Sequence, residues 1–227
     1  MIIVVLIGII LALSFLPQLW IRYVMRKYSH DIPDMQGTGG ELAAHLIERF
    51  ELHGIGVEAT EENQDHFDPT DKMVRLSPSN FNGRSLKAVA VAAHEVGHAI
   101  QFSRREDVFK LREKYIPKAI KIRQYGIYVL WASPVIALIL KAPIAIALPI
   151  ILSVAMQIIS ALTYLIVLPE EWDASFGKAL PILEEGYISE EQMPAARTVL
   201  KAAAFTYFAA ALSSILNLGY LMLLLRR

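Results

Sequence analysis

Two histidines stand four residues apart, the first followed directly by a glutamate, in His94-Glu95-Val96-Gly97-His98. On an α-helix, residues four apart lie one turn apart on the same face, so both imidazoles can reach one ion. Glu95 is adjacent to that face. Two neutral imidazoles on zinc, with a carboxylate beside the open coordination position, form the arrangement that peptide-bond hydrolysis needs. The metal polarises the carbonyl, and the carboxylate takes a proton from water and passes it to the leaving amine. In a chain of 227 residues a chance H-E-x-x-H arises with a probability on the order of one in a few hundred. The bland rival, two surface histidines flanking a solvated glutamate, therefore explains the pattern less well.

The pentad needs a helix under it, and the sequence supplies one. Ser85 has N-cap chemistry for an Ala-rich run from Leu86 to about Phe102, whose small residues allow neighbouring elements to approach closely. Upstream, Ser29 to Gly40 reads as a loop, and Glu41 to His53 shows helical periodicity through Leu42, Leu46, Ile47 and Phe50, stopped by Gly54 and Gly56. Asp65-His66-Phe67-Asp68-Pro69 is turn-like, and Met73 to Ser77 is a short strand candidate. A strand preceding the helix at Val74 to Ser77 is expected to be an edge strand that holds an extended substrate through its main chain, with a purely structural strand as the alternative. His66 either enters the cleft or decorates an Asx-type turn.

The rest of the chain is unusually apolar: 55% of residues are hydrophobic and 19% charged, ordinary values for a protein partly solvated by lipid. Residues 1–21 carry no charged side chain and are long enough to cross a hydrocarbon core of about 30 Å, so an uncleaved N-terminal anchor is expected rather than a signal peptide. Tyr125 to Leu140 and Pro143 to Leu168 read as a transmembrane hairpin, and Ala202 to Leu225 as a fourth span. Arg22, Arg26 and Lys27 follow the first span and eight Lys or Arg lie between Arg104 and Arg123, which places the polar regions in the cytoplasm. Arg226 and Arg227 fall on the opposite side and conflict with that orientation. Lys110, Lys114, Lys118 and Lys121 at helical spacing favour a juxtamembrane helix on anionic lipid. Net charge is zero, with 22 basic and 22 acidic residues, so no nucleic-acid partner is expected. The chain has no cysteine, which excludes thiolate zinc sites and leaves imidazole and carboxylate as donors.

A third donor must lie on the helix's side of the membrane. After an even number of crossings, Leu168 to Ser175 returns there with Glu170, Glu171 and Asp173; His30, His45, His53 and His66 are rivals. Taken together, the N-terminal anchor, Asp65 to Pro69, Val74 to Ser77, Ala90 to Gln101 and Leu168-Pro169-x-Glu171-x-Asp173-Ala174-Ser175 resemble the YugP-type family of bacterial membrane zinc metallopeptidases. More distantly the chain is similar to the HtpX and CAAX-prenyl-protease group. The resemblance implies His94, His98 and Glu171 as ligands of one zinc ion per chain and Glu95 as general base. It also implies a multi-pass protein of the inner (cytoplasmic) membrane. The chain departs from the HtpX-like pattern at Ser175, where an Asp four residues after the ligand Glu orients a zinc-bound histidine. A frame with Glu170 as ligand and Asp173 behind it stays open, since residues three apart share a helix face.

The expected fold is mainly α, with four transmembrane segments and a small cytoplasmic α+β gluzincin-like core. Its parts are an anchor (1–24), a metallopeptidase domain (25–123), a hairpin (124–168), a cytoplasmic segment with the third ligand (169–201) and a C-terminal span (202–227). The expected function is zinc-dependent endopeptidase action near the cytoplasmic membrane surface on protein or peptide substrates, themselves membrane-associated, with the lipid bilayer as partner, in quality control or processing. Two alternatives are a catalytically silent zinc-containing adaptor and a site-two-type intramembrane protease. Arg84, Lys87, Arg104 and Arg105 bordering the helix argue against the latter.

Overall fold

The computed structural model describes residues 2–142 and 144–209. Two compact units emerge: residues 1–18, 111–167 and 207–227 in one, and residues 19–110 and 168–206 in the other. Most of the expected fourth span, from residue 210 onward, lies outside the described residues; residues 202–204 complete a helix of the second unit and 206–209 are helical.

The first unit is built from α1 (Ile2–Lys27), which runs on into the second, and the helices α5 (Asp107–Leu140) and α6 (Ile144–Trp172). Among the described residues, α5 and the helical run Ala147–Glu184 are long and apolar enough to cross a membrane. Pro134 cannot donate to the carbonyl of Leu130 one turn back; the Ser133 hydroxyl donates to that carbonyl instead, at 2.7 Å. From α6, Gln157 donates to the Arg123 carbonyl at 3.1 Å and Ser160 to that of Ala119 at 2.9 Å. Such polar ties between helices matter where apolar burial gives little drive. The basic run is not a separate helix: from Asp107 onward it forms the opening turns of α5, whose 34 residues extend about 51 Å at 1.5 Å per residue, more than a bilayer core requires.

The second unit surrounds α4 (Leu86–Ser103), of which every residue from Leu86 to Gln101 except Lys87 is buried. Its start follows from Ser85, whose side chain accepts from the Ala88 N–H at 3.1 Å. Replacing Ser85 by alanine is expected to cost about 1 kcal/mol, read as a lower denaturant midpoint at unchanged slope. Against α4 pack α2 (Gly39–Arg49), α3 (Pro78–Phe81) and α7 (Met193–Ala204). α2 begins two residues before the periodicity suggests, because Thr38 and Glu41 form a reciprocal capping box. Leu42, Leu46, Leu76, Ile100, Leu183 and Leu200 fill the core.

The sheet has three strands in the order β1 (Gly56–Ala59), β3 (Met73–Leu76), β2 (His66–Asp68). β3 pairs parallel with β1, Val57 opposite Val74, and antiparallel with β2, Phe67 opposite Val74. The strand expected at the edge is therefore the middle one, with both sides engaged by its neighbours. β1 and β2 form the two edges, and β2 packs against α4 with Phe67 against Phe102, ring centroids 5.4 Å apart.

Candidate metal centre

His94 and His98 point from the same face of α4, their rings nearly perpendicular with centroids 4.7 Å apart. Their Nε2 atoms are 3.2 Å apart. Glu171 comes from the end of α6, and its Oε2 lies 3.3 Å from Nε2 of His94 and 3.4 Å from Nε2 of His98. All three side chains are buried. A tetrahedral zinc with bonds of about 2.05 Å would need donor-to-donor edges of about 3.3–3.4 Å. The triangle has that size and the right donor chemistry, so these residues fit a zinc ion.

Glu170 occupies a different place. Its Oε1 is 3.2 Å from Nδ1 of His98, on the far side of the ring from Glu171. The choice that spacing left open between the two glutamates is thus a division of positions, one at the converging nitrogens and one behind. Asp173 accepts from Gln101 at 2.9 Å and from Lys178 at 2.8 Å.

What turns the chain after Glu171 is a π-helical segment, Asp173–Ala179, where the Leu180 N–H reaches back five residues to the Ser175 carbonyl. Single π turns recur at functional sites. Pro181 follows and has no N–H to restore the α register. This segment brings Ser175 to 2.9 Å from Nδ1 of His94. Gly97 makes room for it: a Cβ there would lie 2.7 Å from the Ala174 carbonyl oxygen. Gly177 likewise leaves space for Asp173, whose carboxylate would meet an added Cβ at 2.1 Å. Neither the π register nor the part of Gln101 was legible from spacing, although Gln101, three residues after His98, shares its helix face.

Glu95 is buried beside these groups. Burial pushes its carboxyl above the usual carboxylate range, Glu171 and Asp65 push the same way, and His94 and His98 pull it down. A divalent cation among these groups would add to the downward pull. Asp65 accepts from the Ser77 N–H at 2.7 Å and from its hydroxyl at 2.9 Å, which ties the stretch before β2 to the end of β3.

The rival histidines are elsewhere. His30, His45 and His53 are exposed, and His66 contacts the carbonyl oxygen of Gln64 at 2.7 Å, within its own turn.

A family model described as "Putative neutral zinc metallopeptidase" matches residues 2–226. The chain belongs to this family. It is 34% identical over 211 residues to the protein named "Putative membrane protease YugP" from Bacillus subtilis (strain 168), an alignment spanning 92% of this chain and 89% of that protein. No solved structure matches it. Membership in the zinc metallopeptidase family agrees with the chemistry of the buried triangle, which holds two imidazoles and a carboxylate.

Proposed function

We propose that the chain is a membrane-embedded zinc endopeptidase in which His94, His98 and Glu171 hold one zinc ion and Glu95 is the general base. The observation that carries this is the buried convergence of the two Nε2 atoms and Glu171 Oε2 beside a buried carboxylate. Bound there, zinc supplies Lewis-acid polarisation of the scissile carbonyl and acidifies water. Glu95 takes the proton from the attacking water and hands it to the leaving amine. Burial of Glu95 favours the first half of that exchange, since a carboxylate with a raised proton affinity is the stronger base toward the attacking water. The silent-adaptor alternative has no use for a buried Glu95 at this position.

An extended substrate segment adds to β2 as a fourth strand, because β2 is the sheet edge against α4 and main-chain pairing needs no particular sequence. Trp131, Leu138 and Ile139 of α5 are more than 70% exposed, which suits lipid as their solvent. With α1 and the C-terminal segment as further spans, the distribution of basic residues favours a site on the cytoplasmic side of the inner membrane, within reach of membrane proteins and their exposed segments.

Zinc content and cleavage of an unfolded model protein, measured on detergent-purified chain, test this. Wild type should carry one zinc and cleave, and a strong chelator should abolish both until zinc is restored. Glu171→Gln should lose zinc affinity by at least ~10–100-fold and activity with it. Full zinc occupancy and cleavage in Glu171→Gln would overturn the ligand assignment.

A further inference from the structure

Each imidazole has a second nitrogen, turned away from the proposed metal face, and the partners of those nitrogens carry more information than their distances. We infer that Gln101 and Ser175 are positioning residues that hold His98 and His94 as Nδ1–H tautomers, so that both Nε2 lone pairs face the centre of the site without a proton. This rests on the zinc reading of the site given above.

For His98 the argument runs through the Gln101 amide. Gln101 is fully buried, and its amide nitrogen donates to the Glu170 main-chain carbonyl at 3.0 Å and to Asp173 Oδ2 at 2.9 Å. A carbonyl accepts only, and so does a carboxylate paired with Lys178 at 2.8 Å. The amide nitrogen is therefore committed to that end, and its oxygen lies 3.0 Å from Nδ1 of His98. An oxygen that can only accept has to be met by an N–H. Glu170 Oε1, 3.2 Å from the same nitrogen, makes the same demand.

For His94 the argument runs through one hydroxyl proton. Ser175 Oγ is 3.0 Å from the Leu200 carbonyl and 2.9 Å from Nδ1 of His94, and Ser175 is fully buried. The carbonyl cannot donate, so the serine proton goes to Leu200, and the hydroxyl oxygen accepts from Nδ1–H. This is the one assignment under which both contacts are hydrogen bonds. Three acceptors then surround one point, 3.2, 3.3 and 3.4 Å apart. A cation entering there meets donors that need shed no proton, and an emptied site keeps its geometry through bonds it does not share with the metal.

The test uses the full chain in detergent, with His30, His45, His53 and His66 changed to glutamine so that two histidines remain. Long-range 1H–15N correlation on metal-free protein should show a proton on Nδ1 of both; an Nδ1 without a proton on either overturns the inference, whether or not any further variant folds. Ser175→Ala should shift one histidine to a tautomer mixture and Gln101→Met the other, each weakening zinc by ~10–100-fold in competition with a chromophoric chelator, and Ser175→Thr should recover most of the loss. Unchanged tautomers and zinc affinities in Ser175→Ala and Gln101→Met, with wild type binding zinc, sink the inference and leave the metallopeptidase reading intact. Wild type that shows both tautomers yet binds no zinc does the reverse.

Discussion

Replacing Glu95 by glutamine is expected to lower peptide hydrolysis by about 10²–10⁴-fold with zinc content unchanged. The amide keeps the size of the side chain and removes its basicity, so proton transfer fails and the donor triangle of His94, His98 and Glu171 is untouched. Stability should move the other way. Because burial raises the Glu95 carboxyl above its ordinary value, the folded metal-free protein binds this proton more tightly than the unfolded chain does. That contribution is present below the unfolded value and is lost as pH rises toward the folded one. Metal-free Glu95→Gln should therefore be more stable than metal-free wild type at neutral pH, with the gap closing at acid pH and narrowing when zinc is added. Denaturant unfolding at two pH values, with and without zinc, checks this. A variant that hydrolyses as fast as wild type would remove Glu95 from the mechanism.

Gly97→Ala is expected to damage both the packing of the second unit and its candidate metal site. In an exposed helix, alanine would be favoured over glycine by about 1 kcal/mol. Here the new Cβ would sit 2.7 Å from the Ala174 oxygen and 3.2 Å from its Cα, and main-chain atoms cannot swing aside as a side-chain tip can. Overpacking of this kind costs about 1–3 kcal/mol, so the sign of the substitution reverses. The strained contact lies three residues from Glu171, and pushing the π-helical segment off α4 would open the donor triangle. A fall in both unfolding free energy and zinc affinity is expected. A more stable Gly97→Ala protein with full zinc affinity would show that α4 and residues 173–179 do not pack as described.

What could be read from the chain without coordinates was whatever is local. The Ser85 cap, the run of α4 and the shared face of His94 and His98 follow from spacings of three and four. Strand order was not local: β1 and β2 have four and three residues, too short for alternation to show, so nothing revealed that both would flank Val74. The neighbourhood of Glu171 was not legible for a different reason. Face-sharing rules assume 3.6 residues per turn, and the bonding of residues 173–179 skips five. That shift lets Ser175 reach His94 while Asp173 turns to Gln101, a pairing that α-helical spacing could not forecast. Gly97 and Gly177 carried the signal, since each leaves space for an atom that belongs to the other side of the contact.

The order of the site's parts along the chain has a consequence for biosynthesis. His94 and His98 are translated before α5 and α6, and Glu171 after nearly all of both. At about 5–20 residues per second, the ribosome takes roughly 4–15 seconds to make the intervening stretch, during which the helix with the two histidines exists without its carboxylate. In the proposed topology that stretch is the hairpin, so the third donor reaches the others only after the hairpin has entered the bilayer. Proteolytic capacity is then withheld from the nascent chain and granted to the inserted one, a form of latency that needs no propeptide.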